Sequence, residues 1–267
     1  MKTSNKILLT SFILCFLFTL GFAFFVKSDI AEYQGQKIES RISVPGQTAS
    51  MNYLQGAIDF KYIWTDFSEV RLEIDTVSKV NISPSFLQYV GLHIQADTLY
   101  ILEREFSNYE GKALSMSVKK SQLAGREVVG LGKVISNFYD SEEELQAENF
   151  EILLREGGTC YTSVACENLR AKTLGKGNLF LSGSTNVFDV EHSLGNISAF
   201  DFLAKETSIK INNGLWGRIE THTSSRLHAE LQSNMDVMYL GEPAIEKVEK
   251  GFGRLIDANV LLSGLKE

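Results

Sequence analysis

Arg218, Asp236 and Arg254 stand 18 residues apart and alternate in sign, the spacing in this chain that most invites a chemical reading. If successive turns of chain stack about 4.8 Å apart, these side chains form a ladder of alternating charge. Such a ladder could bind a carbohydrate or share acid/base work. It could equally do no more than avoid like-charge stacking on a solvated face, where an exposed pair is worth about 0–1 kcal/mol. Trp216 and Tyr239 would add the aromatic platform a sugar site needs if they are exposed, or would pack over the next turn if they lie at corners. Cys160 and Cys166 would be roughly 20 Å apart on a continuous strand. A disulfide needs Cα atoms within about 7 Å, so pairing them requires a corner near Ser163-Val164-Ala165; otherwise both are buried thiols. His93, His192, His222 and His228 share no metal-ligand spacing. No Walker phrase, no Gly-x-Ser-x-Gly elbow and no dinucleotide fingerprint occurs. Catalytic residues, a cofactor and a metal are therefore not expected.

What would bring the ladder together is a repeat. One short phrase recurs as Gly130-Leu-Gly-Lys-Val134, Gly175-Lys-Gly-Asn-Leu179, Ser193-Leu-Gly-Asn-Ile197, Leu215-Trp-Gly-Arg-Ile219, Ser233-Asn-Met-Asp-Val237 and Gly251-Phe-Gly-Arg-Leu255, with a weaker copy at Gly157-Gly-Thr-Cys160. Steps of about 18 to 26 residues are the mark of a solenoid with stacked rungs. After the third residue comes a polar one in every copy, and then an apolar one. Neighbours in a strand point to opposite faces, so this is an out-then-in step repeated rung by rung. A second column, Leu169, Val187, Ile209, Leu227 and Ile245, is expected to face inward with the same spacings. Glycine suits a corner between faces, and Met235 replaces it once. A leucine-rich repeat of similar period would show Leu-x-x-Leu-x-Leu and a helix per repeat, and neither is visible. The expected fold is all-β: a right-handed parallel β-helix, or solenoid, of rungs of about 18–22 residues after one N-terminal transmembrane helix.

Residues 7–26 form a 20-residue run without a charge, long enough to span a bilayer as a helix. Lys2 and Lys6 precede it, which places the N-terminus in the cytoplasm and the rest outside. A signal peptide cleaved near Gly21-Phe-Ala23 is the competing reading, although the run is long for one. The domains read as 1–28, signal-anchor; 29–66, juxtamembrane stretch and first strands; and 67–267, the solenoid ectodomain, localised in the cell envelope and exposed outside the cytoplasm. Val70-Arg-Leu-Glu-Ile74, Val80-Asn-Ile82, Leu92-His-Ile94 and Leu99-Tyr-Ile-Leu102 are its early strands. The chain carries 26 basic and 33 acidic residues. An acidic ectodomain argues against nucleic acid or anionic lipid as partner.

Met238-Tyr-Leu-Gly-Glu-Pro243 followed by Gly251-Phe-Gly253, and an opening stretch ending in Asp97-Thr-Leu-Tyr-Ile101, resemble the head GIN domain family of auto-transporter adhesins in Bacteroidetes-type envelopes. The likeness spans roughly residues 60 to 258, with the family's Gly-Ser-Gly-Asp phrases eroded to Gly130-Leu-Gly132, Gly175-Lys-Gly177 and Gly251-Phe-Gly253. It implies a β-helical fold and surface exposure, and it supplies no activity and no site residues. The expected function is that of a non-enzymatic envelope protein whose solenoid serves adhesion, scaffolding or partner binding. Its partners would be the membrane, through residues 7–26, and a carbohydrate or envelope protein. A lyase or hydrolase acting on polysaccharide is the alternative.

Overall fold

Alternating apolar residues build this molecule's interior, and they do so in strands that pair chiefly in parallel. The computed structural model describes residues 59–81, 89–104, 113–129, 132–136, 143–212, 217–232 and 234–263. The membrane run at 7–26 lies outside the described residues; among those described, no helix is long and apolar enough to cross a membrane. The described fold is all-β. Fourteen strands join one sheet: β1 (Tyr62–Thr65), β2 (Val70–Ile74), β3 (Lys79–Asn81), β4 (Val90–Gln95), β5 (Thr98–Glu103), β6 (Leu114–Val118), β7 (Gly125–Val129), β8 (Lys133–Ser136), β9 (Leu145–Arg155), β10 (Thr159–Ile211), β11 (Gly217–Leu231), β12 (Asp236–Leu240), β13 (Ala244–Glu249) and β14 (Leu255–Asp257). A short helix, α1 (Ala258–Ser263), follows. Only β3 with β6 and β4 with β5 pair antiparallel among them.

Two ladders of parallel pairing organise the rest. One runs β5-β1-β7-β9-β10-β11-β13. The other runs β6-β2-β8-β10 and resumes as β11-β12-β14. At 53 residues β10 would extend about 175 Å if straight. It turns instead, with positive φ at Gly183 and Gly195, and residues 18 and 19 apart within it meet: Asn196 bonds to Asn178, and Thr173 to His192.

The polar-then-apolar step of the repeat is realised in the register. Val134 pairs with Cys160, Ile197 with Ile219, Ile219 with Val237 and Val237 with Leu255. All but Leu255 are buried. The second column needs correction. Leu169 and Leu227 are buried, but the residue paired with Leu227 is Thr207, while Ile209 pairs with Ala229. Val187 is only half-buried, and it is the adjacent Phe188 that is fully enclosed, edge-on to Phe202 at 5.4 Å. Ile245 does pair with Leu227, yet it is exposed on the outermost strand of that ladder. The chain then ends its described course in α1, which follows β14. Asn259 donates to Gly241 O at 2.7 Å and accepts from Gly241 N at 3.3 Å, which fastens the helix beside β12.

The core also holds an imidazole. His192 is fully buried, and its Nδ1 bonds to the Thr173 hydroxyl. Burial pushes its pKa from 6.5 down to about 4. Between these values the unfolded chain takes up a proton that the folded chain refuses, so stability falls as pH drops from about 6.5 and the loss is complete near pH 4. The decrement is about 3 kcal/mol at about 1.4 kcal/mol per pH unit. In urea titrations at pH 7 and pH 4.5, His192→Gln should lose less stability on acidification than the parent chain. An equal loss in both would remove His192 as the source.

Candidate functional site

The charge ladder read from the sequence exists as a set of paired neighbours. Arg218 and Asp236 are in register across β11 and β12. Arg254 clamps Asp236, with Nη2 to Oδ2 at 2.6 Å, Nε to Oδ1 at 3.2 Å and its own backbone N to Oδ1 at 3.1 Å. These bonds hold the Asp236 carboxyl below the usual carboxylate range. Arg218 does not join them: it turns along its own strand to Glu220 at 2.7 Å. Glu220 is almost buried, and its other oxygen accepts from Ser198 Oγ at 2.6 Å. Earlier in the same column, Asn196 donates to Asn178 at 2.9 Å. Each of these groups already has a partner, across the column for Asp236, Arg254, Asn196 and Asn178 and along the strand for Arg218, which leaves little to grip a ligand.

The other residues singled out in the sequence are dispersed. Trp216 lies outside the described residues. Tyr239 is buried, and burial with the nearby Asp257 pushes its hydroxyl pKa up. Cys160 and Cys166 are free thiols, the first fully buried and the second partly exposed. A corner does fall between them, since Tyr161 pairs with β8 and Val164 with β9.

A different face gathers the groups the ladder lacked. His93, Tyr100, Trp64, Glu127, Leu153 and Lys172 are register partners on six adjacent strand segments. Because Ile63, Leu99 and Ile152 point into the core, these alternate residues point out. His93 stacks flat on Tyr100 at 4.5 Å, and Tyr100 lies 5.8 Å from Trp64. Tyr62, 39% exposed, lays its ring beside Gly125, where a Cβ would sit 3.2 Å from ring carbons. Burial holds the Glu127 carboxyl above its ordinary range, against the pull of Arg155 at 2.8 Å and a hydrogen bond from Trp64.

Tyr62, Trp64, Tyr100 and Glu127 line a groove of about 190 Å³, whose walls also include Thr98, Arg126 and Glu151. Tyr62 and Glu151 also border a second groove of about 570 Å³, whose walls include Asn149, Asn168, Arg170 and Asp189. The two are therefore contiguous across the strands. Beyond them, opposite charges continue: Lys172 bonds Glu191 at 2.8 Å, and in register across β10 and β11 Glu206 bonds Arg226 at 2.6 Å and Lys210 lies beside Glu230. Aromatic faces beside carboxylates and amides in a concave strip can stack on a sugar ring and hydrogen-bond its hydroxyls. The sequence held two signals for this face. Tyr62-Ile-Trp64 alternates like a half-buried strand, and Lys172, Glu191, Lys210 and Glu230 alternate in sign at nearly constant spacing.

The family model described as "Putative auto-transporter adhesin, head GIN domain" matches residues 53–243. Among solved structures, a putative adhesin from Bacteroides fragilis is similar with a TM-score of 0.62 at 18% identity, covering 74% of this chain and 91% of that one. A putative adhesin from Parabacteroides merdae gives 0.56 at 18% identity, with 74% and 91% covered. A putative lipid binding protein from Parabacteroides distasonis gives 0.52 at 18% identity, with 74% and 92% covered. No curated protein matches the chain.

Proposed function

The chain belongs to the head GIN domain family of putative auto-transporter adhesins, and from that membership we propose that it is a non-enzymatic adhesion protein of the cell envelope that binds glycan along its aromatic groove. The observation that carries this reading is the Tyr62, Trp64 and Tyr100 cluster opening onto a strip of carboxylates and amides. From β9 to β14 the parallel ladders pair residues 18 to 22 apart, which supports a right-handed β-solenoid for that part of the chain. Such a fold repeats side chains about every 4.8 Å, which suits an extended polymer better than a compact metabolite. Residues 7–26 would anchor the chain and leave residues 67–267 outside the cytoplasm. A lipid ligand finds less support here, since ion pairs and asparagines border the groove.

The test is retention of the full-length chain, in detergent, on a panel of insoluble envelope and host polysaccharides, with released oligosaccharide measured in the same samples. Trp64→Ala should weaken retention on the bound polysaccharide roughly 30-fold, the loss of about 2 kcal/mol typical of a central tryptophan anchor. An unchanged affinity would remove the groove as the site. One observation favours a hydrolase as second reading: Glu127 and Glu151 are diagonal neighbours in the groove, and two carboxylates are what glycoside hydrolysis uses. The contacts of Glu127 with Arg155 and Trp64 weigh against it as a free proton donor. Released oligosaccharide would reverse that order of preference.

A further inference from the structure

Among the described residues, a buried arginine beneath the smaller groove is not explained by the packing of the fold. Arg126 is in register with Ile63 on one side and Ile152 on the other, so an arginine occupies an apolar core column. It is 2% exposed. Its Nη1 donates to Ser136 Oγ at 3.1 Å and to Tyr161 O at 3.4 Å, with Cys160 Sγ at 3.9 Å. The Phe150 ring covers one face of the guanidinium at 5.7 Å. None of these groups carries a negative charge. Among the described residues the buried carboxylate is Glu220, which is taken up by Arg218 and Ser198.

Two nitrogens remain. Arg126 Nε and Nη2 are buried and have no hydrogen-bond partner. They form one edge of the guanidinium, the two-pronged edge that engages anions. The Thr162 hydroxyl, on the residue after Tyr161, whose carbonyl accepts from Arg126, is likewise buried without a partner. A buried, unpaired charge is among the costliest groups a fold can contain. Cys160 does not relieve it as a thiolate, because burial pushes that thiol's pKa up more strongly than Arg126 pulls it down.

We infer that the core of this protein binds a small inorganic anion of chloride size at the Nε/Nη2 edge of Arg126, with the Thr162 hydroxyl as a further donor. The flanking isoleucines argue for a monatomic ion over a larger oxyanion. Burial lowers the Arg126 pKa, but from so high a starting value that the guanidinium keeps its charge at physiological pH, and the bound ion would act as a structural ion of the coil that carries the groove.

The test is thermal unfolding of the full-length chain at constant ionic strength, with chloride exchanged for gluconate, an anion too bulky for the site. Each tenfold rise in chloride above its dissociation constant should raise Tm by about 4 °C. Arg126→Met, similar in volume, should abolish the dependence. A bromide-soaked crystal of the parent chain should show an anomalous peak at the Nε/Nη2 edge, whether or not the variant folds. A flat response in the parent, an equal response in Arg126→Met, or a bromide crystal with no peak at that edge would each overturn the assignment.

Discussion

Replacing Ile219 with aspartate is expected to abolish cooperative folding of the sheet. Ile219 is fully buried between Ile197 and Val237 on the neighbouring strand segments. Losing its side chain from a packed column costs about 2–5 kcal/mol, and placing an unpaired carboxylate there adds several more. The sum exceeds about 5 kcal/mol, the lower end of a domain's whole stability. Arg254→Ser, one column over and pointing out, removes an exposed pair and should cost less than about 1 kcal/mol. Arg218→Ser should fall between them. Sequence alone suggests that it is neutral, but Glu220 is 7% exposed, and without Arg218 it keeps only the Ser198 hydroxyl. A cost of about 1–3 kcal/mol follows. Urea unfolding of the three variants would decide the matter, and equal effects of Ile219→Asp and Arg254→Ser would refute the inward and outward assignment of the column.

The column through Ile219 was legible because its corner and its face are only two residues apart, too short a distance for error to accumulate. The column through Leu227 was not, and the register explains why. Asn196 pairs with Arg218 at an offset of 22 residues, Leu203 with His222 at an offset of 19, and Thr207 with Leu227 at an offset of 20. Irregularities between Ile197 and Leu203 and between Ala204 and Glu206 absorb the difference. Counting a fixed step from the corner therefore slips a residue or two on the far face, and a slip of one residue turns a strand inside out. That is how Val187 stood in for Phe188. The aromatic cluster escaped for another reason. Tyr62 and Trp64 fall in the stretch read as leading away from the membrane, whereas β1 lies inside the sheet between β5 and β7. Arg126 shares its alternation with the buried Val128, but arginine ordinarily belongs in solvent, so its residue type conceals its place in the core.

Gly195→Ala should be nearly as damaging as a charge in the core, for a reason that lies in the backbone alone. Gly195 sits at φ +97°, and a Cβ built there would lie 1.9 Å from the carbonyl oxygen of Gly177 on the preceding turn. Gly217, at φ +139°, repeats the arrangement, its Cβ position 2.0 Å from the Gly195 carbonyl oxygen. The left-handed conformation costs an alanine about 1–2 kcal/mol. The clash is worse, because the obstructing atom belongs to a hydrogen-bonded strand and cannot rotate aside; the two turns must separate, straining the pairing of Asn196 with Asn178 and of Ile197 with Ile219. A total above about 3 kcal/mol follows, in the range reserved for strained backbone and overpacked cores. Gly177→Ala provides the control: its Cβ position is 3.0 Å from both the Gly158 carbonyl oxygen and Leu154 Cβ, without a positive φ, so shifts of a few tenths of an ångström relieve it. The control should lose about 1 kcal/mol. If urea midpoints show the two alanines to be equivalent, the corners do not stack as described, and the even spacing that aligns Glu151, Arg170 and Asp189 along the groove would need another cause.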